Sequence, residues 1–277
     1  MDTNEKALII SALPSLLSLV REQHPLVHHI TNLVVMNDTA NVTLAVGASP
    51  VMAHALEEVE EMVNLAGVLL LNIGTLTPTQ IEAMLRAGRR ANERGIPIVL
   101  DPVGAGATTL RTQSALRLLR ELRITALRGN ASEIGTLAGV TAETRGVDFA
   151  SLSEDREIVA RRAAREFRCC VAMTGVQDLI SDGERIAYVE NGHSLLAAIT
   201  GSGCMATTVV ATFLAVEADA WKAATAALAA FGLAGEMAAA KAGGPGTFRS
   251  HLIDALAALD AETFARGQKV TVEAWQS

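Results

Sequence analysis

The run Thr200-Gly201-Ser202-Gly203-Cys204 stands immediately before an uncharged, helix-capable stretch from Met205 to Val216. Two glycines let a backbone turn tightly, and the first amides of the following helix point into that turn with the positive end of the helix dipole behind them. Such a turn can cradle an anion, a phosphate foremost. Cys204 falls at its mouth, where the same field favours thiolate over thiol and places a base or nucleophile within reach of a bound phosphate. Glycine-bounded turns before helices are common, so the segment needs support from elsewhere in the chain.

A phosphoryl-transfer site needs cations on the transferring oxygens, a metal held by carboxylates, and a group that handles the acceptor hydroxyl proton. Each has a candidate. Arg128 follows the apolar run Ile124–Leu127 and could clamp phosphate oxygens bidentately, or be a solvated charge. Asp101 and Glu133 are natural magnesium carboxylates, acting directly or through water, although either could serve only as a helix cap. His28 and His29 lie near Asn32, Asn37, Asp38 and Asn41, but their adjacency makes the two side chains diverge, and no Cys or Glu stands nearby at zinc spacing. Asn and Thr give directional hydrogen bonds without net charge, which suits a pocket for a neutral heterocyclic or alcohol ligand. Met52 would give that pocket a pliable apolar wall, or simply belong to the core.

The elements that must position these residues are visible as short apolar runs, each ending in a polar residue or glycine and followed by a segment of helical period. Val68–Ile73 leads through Gly74-Thr75-Leu76-Thr77-Pro78 into a helix over Thr79–Asn92, with Gly95 beyond it. Ile96–Leu100 ends in Asp101, Ile124–Leu127 in Arg128-Gly129-Asn130, and Cys169–Met173 in Thr174-Gly175; a helix starts near Ala131 and stops at Gly139. This alternation predicts a mostly parallel sheet with helices on both faces, and ligands of such sheets bind outside the carboxyl ends of the strands. Asp101, Arg128, Asn130, Glu133, Thr174 and the 201–204 turn are therefore expected to converge on one edge. From Met205 to Ala242 the small apolar residues read as two buried helices, and Ala7–Val20, interrupted by Pro14, as an amphipathic one.

Composition excludes several classes. A formal charge of −7 with a pI near 5.4 and only 3% aromatic residues argue against nucleic-acid binding. Three cysteines, two of them adjacent at Cys169 and Cys170, cannot build a disulfide framework and suit a reducing, cytosolic compartment. The uncharged stretch His193–Val216 has the length of a membrane span, but Gly201 and Gly203 would leave irregular backbone in hydrocarbon, so no membrane association is expected. No Walker A sequence is present, and Asp101-Pro102-Val103-Gly104-Ala105-Gly106 does not fit a dinucleotide fingerprint. No linker divides the 277 residues, so one domain over 1–277 is expected.

Six segments resemble, in order and spacing, the hydroxyethylthiazole kinase family. They are His29-Ile30-Thr31-Asn32, Gly47-Ala48-Ser49-Pro50-Val51-Met52, Leu71-Asn72-Ile73-Gly74-Thr75-Leu76, Leu100 to Gly106, Arg128-Gly129-Asn130-Ala131-Ser132-Glu133-Ile134 and Thr200 to Cys204. Asn130-Ala131-Ser132-Glu133 is similar to the N-x-x-E element of the wider ribokinase-like superfamily, whose anion-hole motif usually ends in Asp where this chain has Cys204. The resemblance implies a single ribokinase-like α/β domain of three layers, α/β/α, with a mostly parallel sheet. It implies phosphorylation of the hydroxyl of 4-methyl-5-(2-hydroxyethyl)thiazole by magnesium ATP, a salvage step toward thiamine, in a cytoplasmic homotrimer with active sites at subunit interfaces. On this chain it implies nucleotide contacts at Arg128, Thr174 and Gly201, a thiazole contact at Met52, and Cys204 near the hydroxyl; with the residues read above, Asn130 and Gly203 join the nucleotide side, Asn32, Gly201 and Cys204 the thiazole side, Asp101 and Glu133 are expected to hold Mg2+, and Cys204 is the expected catalytic residue.

Three other readings compete with it. They are a ribokinase-like kinase for another small alcohol, a nucleotide-binding sensor without turnover, and a cysteine hydrolase using Cys204. Cys204 and the Asn-rich N-terminal segment weigh against the first, intact Asp101, Arg128 and Glu133 against the second, and the lack of any signal pairing His193 with the thiol against the third.

Overall fold

The computed structural model describes residues 1–140 and 155–275. The chain opens with α1 (Thr3–Gln23), which runs unbroken through the buried Pro14 rather than being interrupted there. It continues through β1 (Leu26–Ile30), α2 (Met36–Val46), β2 (Ser49–Val51), α3 (Val59–Leu65), β3 (Val68–Asn72), α4 (Pro78–Arg94), β4 (Ile98–Asp101), α5 (Thr109–Glu121), β5 (Ala126–Asn130) and α6 (Ala131–Leu137). After α7 (Arg156–Phe167) come three consecutive strands, β6 (Cys170–Thr174), β7 (Asp178–Ser181) and β8 (Arg185–Val189). A 3-10 turn (Ser194–Ala198), α8 (Ser202–Leu214), α9 (Ala220–Ala239), α10 (Pro245–Ala258), α11 (Ala261–Gly267) and β9 (Val270–Ala274) complete the order.

The nine strands among the described residues form one sheet, in the order β2-β1-β3-β4-β5-β6-β7-β8-β9. The first six are parallel, and β6 to β9 are antiparallel. The expected mostly parallel sheet is thus correct, with an antiparallel extension that the apolar runs did not disclose. Side chains alternate across a strand, and the sequence uses that period to fill two cores. Leu70, Val99, Ala126 and Ala172 face α1, α2, α8, α9 and α10, while Leu69, Leu71, Leu100, Leu127 and Val171 face α3 to α7. Three layers result.

Local chemistry sets the helix starts. Thr77 caps α4, its hydroxyl accepting from the Gln80 amide at 3.2 Å, Pro78 occupies the first turn, and Gly95 ends the helix in the left-handed region. Asn130 and Glu133 form a reciprocal capping box on α6, with side chain to amide distances of 2.9 and 2.8 Å. The small residues of α8 and α9 are buried along nearly their whole length, as expected, and no helix among the described residues is long and apolar enough to cross a membrane.

Candidate active site

Because β2, β1, β3, β4, β5 and β6 run parallel, their carboxyl ends lie on one edge, and that edge carries Met52, Asn32, Asn72, Asp101, Asn130 and Thr174 in this spatial order. The first turn of α8 comes down on the middle of the row. Gly201, its N-cap, has φ +81° and lies so close to Val35 that a Cβ there would stand 2.4 Å from Val35 Cγ1. The amides of Ser202, Gly203 and Cys204 are the ones that a helix start leaves without internal acceptors, a geometry that could cradle an anion.

Arg128 is buried in β5 itself rather than standing after a strand, and only 9% of it is exposed, so the solvated-charge reading fails. Its Nη2 donates to Thr174 Oγ1, its Nη1 lies 3.9 Å from Asp101 Oδ2, and Nε is buried without a partner. A Cβ at Gly203 would meet Arg128 Nη1 at 2.6 Å. The second glycine of the motif is therefore explained by the guanidinium that lies against it.

Asp101 is fully buried. Its Oδ2 accepts from Thr207 Oγ1 at 2.7 Å and Asn72 Nδ2 at 3.0 Å, while Oδ1 has no partner. Burial raises the pKa of its carboxyl, against which Arg128 and these donors act. Glu133 accepts from the amides of Gly104 and Asn130, both at 2.8 Å, and burial followed by the charge of Asp101 pushes it up to about 7. Two buried carboxyls, the charge of Asp101 raising the proton affinity of Glu133 and Asp101 keeping one oxygen unpartnered, fit a divalent cation. Among the described residues no group of three or more His, Cys, Asp or Glu could hold a metal alone, which leaves room for the water and phosphate ligands that magnesium keeps.

Cys204 differs from expectation in its charge. Its sulfur accepts from Asn72 Nδ2 at 3.2 Å and Asn32 Nδ2 at 3.5 Å. Burial and the neighbouring Asp101 nevertheless push the thiol up to about 12, so it stays protonated at neutral pH and the expected thiolate does not form. The field of one helix end is outweighed by removal from water beside a carboxylate.

The direction of both amides is fixed by backbone donors. Asn72 Oδ1 accepts from Gly74 N at 2.9 Å and Asn32 Oδ1 from Val34 N and Val35 N at 3.1 and 3.2 Å, so each amide must turn its nitrogen toward the sulfur. Asn72 and Thr207 are the two buried polar residues of this network that were not singled out in the sequence. Asn72 was hidden inside the run Val68–Ile73, and Thr207 inside an apolar helix. A polar residue closing an otherwise apolar strand, as Asp101 closes β4, is the signal that could have found Asn72.

Other expected residues are not brought together. His28 and His29 are completely buried in β1, where Nε2 of the first pairs with Ala53 O at 2.7 Å and Nε2 of the second with Thr43 Oγ1 at 3.2 Å. They are core residues, not pocket lining. Asn37 and Asn41 bond each other, and Asp38 pairs with Arg249 of α10. Met52 is half-buried just past β2, at the outer end of the row. A groove of about 590 Å3 opens at the opposite edge beside Thr125, Cys170 and Trp221, where Arg185 is held by Asp182 and Asp219. Those charges satisfy one another, and the groove shares nothing with the row.

Comparison with known proteins bears on the family and the fold. Residues 17–262 match the model of the hydroxyethylthiazole kinase family. A hydroxyethylthiazole kinase of Roseiflexus sp. is 57% identical over 92% of this chain and 94% of that protein. The structure of a hydroxyethylthiazole kinase protein from Pyrococcus horikoshii OT3 superposes with a TM-score of 0.87 at 46% identity, covering 94% of this chain and 98% of the other. A ribokinase-like superfamily protein of Enterococcus faecalis has a TM-score of 0.60 at 13% identity, over 83% of this chain and 86% of its own, a likeness of fold alone.

Proposed function

The chain belongs to the hydroxyethylthiazole kinase family, and from that premise we propose that it transfers the terminal phosphoryl group of ATP to the side-chain hydroxyl of 4-methyl-5-(2-hydroxyethyl)thiazole, a salvage step toward thiamine. The observation that carries the reading at residue level is the unbroken row from Asn32 through Asn72, Cys204 and Asp101 to Arg128 and Thr174. It juxtaposes neutral hydrogen-bonding groups suited to an alcohol with a cationic, amide-rich cradle suited to phosphate.

In this mechanism the thiazole lies at the Met52 and Asn32 end, with its hydroxyl at Cys204 and the cradle of Gly201 and Gly203. The triphosphate lies along Arg128, Asn130 and Thr174. Arg128 and the amides of 202–204 meet the charge that spreads over the equatorial oxygens of a loose transition state. Asp101 and Glu133 would hold Mg2+, which when bound neutralises charge on the phosphate oxygens. The protonated Cys204 orients the acceptor oxygen; as the bond from that oxygen to the terminal phosphorus forms and the bond to the ADP oxygen breaks, the hydroxyl proton leaves late to an oxygen of the transferred phosphoryl group, so no thiolate is required.

The remaining parts of the proposal are a single ribokinase-like kinase domain over 1–277, cytoplasmic location and a homotrimer with interface sites. One continuous sheet supports the first, and free Cys169, Cys170 and Cys204 support the second. For the trimer the support is apolar surface beside the acceptor end, where Leu33 and Val34 are 74% and 63% exposed next to Asn32. ADP formation that depends on added thiazole alcohol tests the activity; ADP formation independent of it, or preferring an unrelated alcohol, would overturn the reading. Light scattering on the active protein should give three times the 29.0 kDa chain, and a fully active monomer would rule out shared sites.

A further inference from the structure

Arg111 is an arginine in an unfavourable place. It lies in the first turn of α5, where the helix dipole opposes a cation, and among the described residues no carboxylate stands within ion-pair distance. Its guanidinium is spent on backbone carbonyls. Nη1 donates to Val103 O at 2.6 Å and to Ile73 O at 3.4 Å, and Nη2 donates to Gly74 O at 2.6 Å. These carbonyls belong to two different loops. Ile73 and Gly74 follow Asn72 at the end of β3, whereas Val103 sits between Asp101 and Gly104 after β4.

Each loop orders part of the site. In the first, Gly74 N orients Asn72, and Thr75 Oγ1 accepts from Leu33 N at 3.0 Å, which ties down the segment that begins at Asn32. In the second, Gly104 N donates to Glu133 Oε1 at 2.8 Å. Gly104 has φ +76°, and a Cβ there would stand 2.9 Å from Arg111 Cδ, so the loop needs glycine at the point where the arginine crosses it. A lysine could donate from one point but could not span three carbonyls from a planar fork.

We infer that Arg111 is a positioning residue that braces the acceptor-side loop (73–75) against the carboxylate-side loop (103–104), holding the hydroxyl subsite at a fixed distance from the phosphate subsite. The inference rests on the proposed reaction only for its kinetic consequence. The structural core of it, that one guanidinium couples two loops, stands without that reaction. Misplacement of reacting groups by about an ångström can cost roughly 100-fold in rate, because a loose transition state relies on alignment rather than on covalent help.

The test uses Arg111→Ala and Arg111→Lys in the full chain, with the wild-type melting temperature as the control for folding. Both variants should lose kcat by about 100-fold while the KM for ATP and for the thiazole alcohol moves by no more than about threefold. Millimolar guanidinium ion should restore part of the Arg111→Ala rate, and methylammonium should not, since only the planar fork reaches both loops. Amide hydrogen exchange without substrate is read in parallel. Exchange in 73–75 and in 103–106 should quicken together in the variants. An Arg111→Lys enzyme with wild-type kcat, or exchange that quickens in one loop alone or in neither, would overturn the brace. If the alanine variant unfolds, Arg111→Gln, which keeps the stem and one amide, replaces it under the same criteria. A wild-type protein that lacks thiazole kinase activity would refute the proposed function and leave the exchange experiment to decide the brace.

Discussion

Two side chains at the centre of the row make separable predictions. Arg128→Ala should lower kcat by about 100- to 1000-fold, the range seen when one donor to developing charge is removed, with thiazole KM nearly unchanged. Initial rates at varied thiazole and saturating ATP decide it; unchanged kcat with a raised thiazole KM would move Arg128 from the phosphate to the alcohol. Cys204 sits where two amide nitrogens converge, an environment that accepts either a thiol or a carboxylate. Cys204→Asp is therefore expected to keep kinase activity, and Cys204→Ala a measurable fraction, since the helix amides remain. With the thiol pushed up to about 12, the wild-type rate should show no thiolate-linked rise between about pH 6 and pH 9, and alkylation should be slow. If both variants were folded and inactive, the thiol would be an obligatory nucleophile and direct transfer would be wrong.

The close approach of α8 to β5 gives a prediction at the level of elements. Gly203→Ala places a methyl group 2.6 Å from Arg128 Nη1, while alanine is otherwise favoured over glycine in a helix by up to about 1 kcal/mol. The variant should melt near the wild-type temperature yet reproduce most of the Arg128→Ala loss in kcat; wild-type turnover would show that the guanidinium can move aside at no cost. The same elements show what sequence can disclose. The ends of β4 and β6 and the starts of α4 and α6 were legible because each pairs a strand-length apolar run with a cap signal a few residues on. Arg128 was placed one step too late because β5 continues through Gly129 to Asn130. The strands β7 and β8 were missed although Asp182-Gly183 between them is a hairpin signal, with Gly183 at φ +94°. Contacts such as Asn72 to Cys204, separated by 132 residues, have no local signature at all. The thiol's charge was misjudged for a related reason, since a motif shows the helix end but not the burial that opposes it.

At the scale of the molecule, the sheet separates two cores, and β1 carries a histidine into each: Val27 belongs to one core and Ile30 to the other, so His28 and His29, between them, face opposite sides. Burial lowers His28 to about 4 and His29 to about 3, with the bond to Ala53 partly opposing the first shift and the neighbouring histidine adding to the second. Both rings are neutral in the folded protein at neutral pH. In the unfolded chain they take up protons near the ordinary value of about 6.5. Between that value and their folded values the unfolded state binds more protons, so the stability that neutral burial preserves is complete above pH 6.5 and falls as pH drops toward about 3. A shift of the size at His28 corresponds to roughly 3 kcal/mol across the window, which is a large share of the margin of a typical domain. His28→Gln and His29→Gln should each flatten the decline of melting temperature between about pH 6.5 and pH 4, whatever their effect at pH 7, and the double variant should flatten it most. Parallel pH profiles for wild type and double variant would show that carboxylates held below their ordinary value in the folded protein, such as Asp219 and Glu236, and not the histidines, govern acid unfolding.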